Sequence, residues 1–201
     1  MSEESEITFK IITVGESGVG KTSIFRRFVY SSFEDNTLTT LGLQFSFKDV
    51  TLSSGQKIKL KLIDTAGEEK YRSLSKSYFK NADVALFVFS LDNVNSFEHI
   101  NDWVELFKEN HDKVDKIPKY LIGSKNDLEQ KVDQGKIDEL TQKLGYKYIS
   151  TSAKSNNNIE YLFNDISETV FKTYNPDKNQ KTIKLKHKKP PKTTKCAICQ
   201  V

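Results

Sequence analysis

Hydrophobic and polar positions change period several times along this chain, and each period predicts a different element. Ile7 to Val14 is an apolar, strand-like run. From Gly20 onward Ile24, Phe25 and Phe28 repeat on one helical face until the polar break at Ser31-Ser32, and a loop then runs to about Thr40. Between Leu41 and Phe47 apolar and polar residues alternate. Beyond Ser53-Ser54-Gly55 the alternation resumes as Ile58, Leu60 and Leu62 against Lys57, Lys59 and Lys61, which predicts a hairpin with one wet face. Val84 to Leu91 is almost continuously apolar, as a parallel strand covered on both sides must be, and Tyr120 to Ile122 is a shorter relative. Helical spacing returns in Phe97, Ile100, Val104 and Phe107, and again in Ile159, Leu162, Phe163, Ile166 and Val170. Trp103, within the first of these, is read as packing rather than as a stacking partner for a ligand. Strands alternating with helices give a doubly wound α/β domain that binds ligands at the carboxyl ends of its strands.

Composition narrows the class. A chain of 201 residues suits one well-buried domain with appendages. Its net charge of +4 misleads, because residues 178–201 hold eight lysines and no acid; without them the body carries −4. The body is therefore not expected to bind nucleic acid, and the basic, Pro190-Pro191-containing tail is expected to be disordered. No apolar span reaches eighteen residues, and Met1 to Glu6 is acidic and polar, unlike a secretory signal, so the body is expected to face the cytosol. Cys196 and Cys199 are the only cysteines, which excludes a disulfide framework, and His99, His111 and His187 are too scattered for a metal site.

Candidate chemistry begins at the turn after the first strand. Gly15-Glu16-Ser17-Gly18-Val19-Gly20-Lys21-Thr22 matches GxxxxGK[ST] in the strand-to-helix context that this phosphate-cradling loop requires. Its glycines let backbone N–H groups turn inward around phosphates, Lys21 supplies charge to the terminal ones, and the Thr22 hydroxyl can ligate magnesium. A nucleoside triphosphate is the expected ligand.

Four further motifs follow: Thr40-Leu41-Gly42, Asp64-Thr65-Ala66-Gly67, Lys125-Asn126-Asp127 and Ser152-Ala153-Lys154. In order and rough spacing they resemble the Ras-like small GTPases over residues 7–172. Asp64 to Glu69 with Tyr71-Arg72-Ser73-Leu74, the phrase Asn95-Ser96-Phe97 and the cysteine-bearing tail are most similar to the Rab branch. The resemblance implies a single P-loop small-GTPase domain of the α/β class over residues 7–172. Its sheet would be mostly parallel and six-stranded, with one antiparallel edge strand and helices on both faces. A flexible segment 1–6 would precede it and a hypervariable basic tail, 173–201, would follow.

The same resemblance implies GTP or GDP with Mg2+, and residue roles. Ser17, Gly18, Val19, Gly20, Lys21, Thr22 and Ser23 would hold phosphates, and Phe33 would pack edgewise on the base. Guanine presents N1–H and an N2 amine to which one carboxylate is complementary, and adenine lacks that pair; Asp127 takes this place. Around it, the alkyl stem of Lys125 would cover the base, the Ala153 N–H would meet O6, and Ser124, Ser152 and Lys154 complete the set. Thr22, Asp64 and, with a γ-phosphate present, Thr40 would ligate magnesium, while the Gly67 N–H would reach that phosphate. Its loss would release both loops, an order-to-disorder switch. Lys21, Thr40, Gly67 and Glu68 are the implied catalytic positions.

Three positions depart from the family pattern, of which Ser17, in place of a glycine found in some relatives, is ordinary in the Rab branch. Glu68 stands where a glutamine usually orients the attacking water; a carboxylate only accepts, yet its raised proton affinity near a triphosphate makes it a usable base, so slow hydrolysis is expected to survive. Ser124 replaces an asparagine whose longer amide braces the phosphate loop; a hydroxyl reaches less far, which predicts faster nucleotide exchange with specificity retained. Leu41, Leu43, Phe45 and Tyr71 are either an effector surface or half-buried hairpin residues. The lysines before Cys196 and Cys199 suit anionic lipid, and a prenyl chain on those cysteines would supply the second anchoring signal, although the CaaX position is Ile198. The implied protein is a Rab-like switch in vesicle trafficking on the cytoplasmic face of an intracellular membrane, with a soluble pool. Its partners would be an exchange factor, a GTPase-activating protein, an escort protein or dissociation inhibitor, and effectors. The competing readings are a pseudo-GTPase binding module and a P-loop metabolite kinase, the latter sharing only the first motif.

Overall fold

Strands come first because the most apolar segments form them. The computed structural model describes residues 7–35, 43–65 and 79–174; the acidic N-terminus, the lysine tail, Thr40, Leu41, Gly67, Glu68, Tyr71, Cys196 and Cys199 lie outside the described residues. Strand β1 (Thr8–Val14) lies beside β4 (Val84–Ser90), every residue of which is buried. Around this pair the sheet adds β2 (Leu43–Thr51), β3 (Lys57–Thr65), β5 (Lys119–Ser124) and β6 (Lys147–Ser150) in the spatial order β2-β3-β1-β4-β5-β6. All neighbours are parallel except β2 and β3, the expected hairpin, which makes β2 an antiparallel edge strand. The chain leaves β1 to build one flank and returns to β4 for the other, so the order reverses beside β1, the place where such sheets bind ligands.

Among the described residues five α-helices cover the two faces: α1 (Lys21–Tyr30), α2 (Val94–Glu98), α3 (Ile100–Asn110), α4 (Gln134–Leu144) and α5 (Ile159–Thr173). Period-two alternation in the strands divides the core between them. Ile11, Leu60, Leu62 and Leu86 pack with Phe25, Phe28, Phe163 and Ile166 of α1 and α5. Ile12, Ile63, Phe87 and Phe89 pack with Phe97, Trp103, Phe107 and Ile137 of the other helices. The Phe28 and Phe163 rings stack at 3.8 Å, tying α1 to α5.

The spacing of Phe97, Ile100, Val104 and Phe107 reads as one helix, but the structure divides it at His99, where φ −79° and ψ −2° stay right-handed with ψ opened from the ideal helical value. The apolar period continues through the break because Phe97 and Ile100 face the same core. Asn93 caps α2 by accepting from Ser96 N, and Asp133 caps α4 by accepting from Lys136 N. α4 ends at Gly145, whose φ of 66° suits a residue without Cβ.

Burial raises the phenols of Tyr146 and Tyr148 from 10 to about 12, and that of Tyr120 further still. Each keeps its proton in the fold where the unfolded chain has lost it. The stability this provides is complete below pH 10 and is lost as pH rises through the folded values. Alkaline unfolding between pH 10 and 12 is therefore expected, with phenolate absorbance and loss of circular dichroism rising together. Phenolate signal from these residues at pH 10 in a protein of unchanged dichroism would contradict it.

Candidate nucleotide-binding site

The loop after β1 owes its shape to what the strands leave no room for. A Cβ on Gly15, where φ is 149°, would sit 2.1 Å from the Val88 carbonyl oxygen of β4. Gly18 and Gly20 also have positive φ, 74° and 94°, and α1 begins directly after Gly20. The N-terminus of the helix thus lies next to the loop, an arrangement suited to anions.

Lys21 opens the helix and is 5% exposed. Its Nζ donates to the carbonyls of Gly15 at 2.9 Å and Glu16 at 2.6 Å. Burial pushes its pKa down to about 8, against the opposing charges of Asp64 and Glu16. Thr22 follows, and its hydroxyl donates to Oδ2 of Asp64 at 2.5 Å. Asp64, near the end of β3, is 4% exposed, so the strand end brings a buried carboxylate to the loop.

The other wall comes from the ends of β5 and β6. Lys125 adopts the left-handed backbone at φ 57°, a costly conformation for a side-chain-bearing residue and one that clusters at functional sites. Its Nζ lies 4.0 Å from Asp92. Ser152, wholly buried, accepts from Ser155 N at 3.0 Å and donates to Oδ1 of Asp127 at 2.5 Å. The hydroxyl holds one carboxylate oxygen, and Asp127 lines the cleft.

These walls enclose a cleft of about 470 Å³. Ser17, Gly18, Gly20, Lys21, Thr22 and Ser23 line it, as do Phe33, Ser124, Lys125, Asp127, Ala153 and Lys154. Three expected residues stand behind the lining: Val19 is in the core at 1% exposure, Ser152 braces Asp127, and Asp64 meets Thr22. The structure thus brings together residues from 17 to 154 in one depression.

Sequence profiles and relatives agree with this geometry. The profile of the Ras family matches residues 10–172. The chain is 32% identical to Ras-related protein Rab-13 of Bos taurus over 172 residues, covering 85% of this chain and 83% of that protein. It is 32% identical to Ras-related protein Rab-8 of Diplobatis ommata over 197 residues, 96% of this chain and 92% of the relative. Ras-related protein Rab-10 of Diplobatis ommata is 35% identical over 167 residues, 82% of each. The chain belongs to the Rab-family small GTPases.

Members of this family hydrolyse GTP to GDP, and this Rab-family protein is a GTPase. Two features of its site escaped the sequence. Arg27 of α1 donates through Nε to the Ala153 carbonyl at 2.6 Å and through Nη2 to the Lys154 carbonyl at 3.1 Å. Its guanidinium also stands 5.9 Å from the centre of the Phe33 ring. Lys154 Nζ in turn donates to Asp35 at 3.0 Å, and Arg26 pairs with Glu34. No pattern signals Arg27, since its partners are 126 and 127 positions away.

The second feature corrects the premise about Ser124. Its hydroxyl does reach the phosphate loop: Oγ lies 2.5 Å from the Val19 carbonyl and 2.8 Å from that of Phe89, and its one proton serves either. The side chain is 2% exposed, and β5 itself carries the hydroxyl within reach of the loop carbonyl. Replacing Ser124 with alanine would leave the Val19 carbonyl without this donor. The variant is expected to release GDP roughly 3- to 10-fold faster with guanine preference intact, as the loss of one buried hydrogen bond implies. An unchanged rate in a displacement assay with labelled GDP would show that the bond does not hold the loop.

Proposed function

We propose that this Rab-family GTPase is a slowly hydrolysing GTP switch that recruits effectors to a membrane in vesicle trafficking. The observation that carries the proposal is the pairing, within one cleft, of the Lys21 phosphate loop with a carboxylate, Asp127, held by Ser152 in position to accept from a guanine edge. Ser17 to Ser23 would surround the phosphates, Phe33 and the Lys125 stem would flank the base, and the Ala153 N–H would meet O6.

Mg2+ fits the residues present: Thr22 and Asp64 are hard oxygen donors held against each other, and Asp64 is a buried carboxylate beside the phosphate loop. Thr22 and Asp64 would hold it, with Thr40 joining when a γ-phosphate is bound. When bound, the ion offsets phosphate charge. Lys21, pointing its ammonium into the same loop, would share that task; Gly67 and Glu68 would act at the γ-phosphate and the attacking water.

An exchange factor, a GTPase-activating protein, a dissociation inhibitor or escort protein, and effectors would drive such a cycle. Phe45 and Phe47 of β2 are 46% and 55% exposed, which supports the effector-surface reading of Phe45 over a half-buried one. Among the described residues no helix is long and apolar enough to cross a membrane. Attachment would rest on the lysine-rich tail with lipid on Cys196 or Cys199, giving a membrane-bound and a soluble pool.

The test is to denature freshly purified protein and identify the released nucleotide by ion-exchange chromatography. Near-stoichiometric GDP is expected, from guanine selection together with hydrolysis, despite Glu68, of GTP acquired in the cell. Adenine nucleotide would overturn the assignment of Asp127. GTP that stays intact over many hours would overturn hydrolysis by this chain unaided.

A further inference from the structure

Glu16 occupies a variable position of the phosphate loop, and its side chain is engaged outside the cleft. Its Oε1 accepts from the indole Nε1–H of Trp103 at 3.0 Å and lies 3.4 Å from Nδ1 of His99. Its main-chain carbonyl accepts from Lys21 Nζ at 2.6 Å. One residue therefore touches the helix layer with its side chain and the phosphate-loop lysine with its backbone.

The two partners on the helix side are unlike. Trp103, the only tryptophan of the chain, is 2% exposed and fixed within the core under α3. His99 sits at the break between α2 and α3 with its side chain 52% exposed. The loop they meet contains three glycines at positive φ, Gly15, Gly18 and Gly20, and so carries an entropic cost of ordering. A charge-assisted hydrogen bond from a rigid indole fixes such a loop at a point between its anchored ends.

We propose that Trp103, acting through Glu16, is a positioning residue for the phosphate loop and slows nucleotide release. The proposal rests on the reading of the cleft as a nucleotide site. Trp103 reaches the phosphate loop through its bond to Glu16, and the route proposed from the indole to the nucleotide runs through that carboxylate. Packing and positioning make different demands. A packing role needs only the ring, whereas positioning needs the N–H and its acceptor together.

The experiment compares release of labelled GDP from the GDP-loaded full chain carrying Trp103→Phe, Glu16→Ala, or both. Trp103→Phe keeps an aromatic ring and removes the donor. Glu16→Ala removes the acceptor from a partly exposed loop and leaves the packing of α3 intact. Each single change is expected to speed release about tenfold, the size set by one hydrogen bond to a charged group. The double variant is expected to be no faster than the faster single one, because the two changes break the same link. Thermal unfolding of Glu16→Ala in saturating GDP should match the wild type. Effects that multiply, or unchanged release from Glu16→Ala, overturn the proposal and leave Trp103 a core residue. Wild-type protein that retains no guanine nucleotide overturns the reading of the cleft and this proposal with it; wild-type protein that retains GDP while the variants behave like it overturns this proposal alone.

Discussion

Asp127→Asn is expected to lose guanosine nucleotides and gain xanthosine ones. A carboxylate accepts both N1–H and the N2 amine of guanine, while an amide in its place accepts one and presents a donor to the other. Ser152 donates to Oδ1, which keeps an oxygen on that side and puts the new NH2 group where Oδ2 stood. Guanine then meets donor against donor. Xanthine, with a carbonyl at C2, meets donor against acceptor. The loss of two charge-assisted bonds implies a fall in GDP affinity of roughly a hundredfold or more. Isothermal titration with GDP and XDP measures both arms. Equal GDP affinity in variant and wild type would mean that Asp127 does not face the base.

Gly15→Ala is expected to do still greater damage, and for a reason unconnected with chemistry. The added methyl would lie 2.1 Å from the Val88 oxygen, 3.2 Å from its carbonyl carbon and 3.5 Å from its nitrogen. All three are main-chain atoms of β4, where every residue is buried, so the obstacle cannot rotate away. Either the loop leaves β1 in another direction or the central strands part, at a cost of at least about 3 kcal/mol. The purified variant should hold no nucleotide and unfold at markedly lower urea concentration. Gly55→Ala is the control: φ is 84° there, but nothing lies within 4 Å of the added carbon, so backbone strain of about 1–2 kcal/mol is the whole expected effect. Similar losses in both variants would discount the clash with Val88.

Legibility differed between parts of the molecule for identifiable reasons. β1, β4, α1 and α5 bury many large side chains, and their periods stand out in the sequence. α4 buries only Ile137 and Leu140, and β6 has four residues of which one is buried, so neither produces a pattern of its own. The division at His99 is invisible because a one-residue departure from helical ψ leaves the spacing of apolar residues unchanged. The phosphate loop could be read because its requirements are local: glycines, a lysine and a hydroxyl within eight consecutive positions. Asp127, too, follows from its motif, but the Ser152 bond that aims it does not, since it joins residues 25 apart. Ser124 shows the limit most plainly. Side-chain length was an unsound guide to reach, because the separation of β5 from the loop, which decides the matter, is a property of the assembled sheet.

Arg27 bears on how the molecule comes to be finished. It belongs to the first helix, yet its bonds to the carbonyls of Ala153 and Lys154 can close only after β5, α4 and β6 have been laid down in order. The corner of the cleft proposed for the base is therefore among the last places to assemble, and the fastening that completes it joins early and late parts of the chain. A chain truncated or stalled before residue 153 would possess a phosphate loop without a corner to select the base. On the proposed reading of the cleft, guanine selectivity would certify completion, since it would belong only to a chain that has closed this circuit.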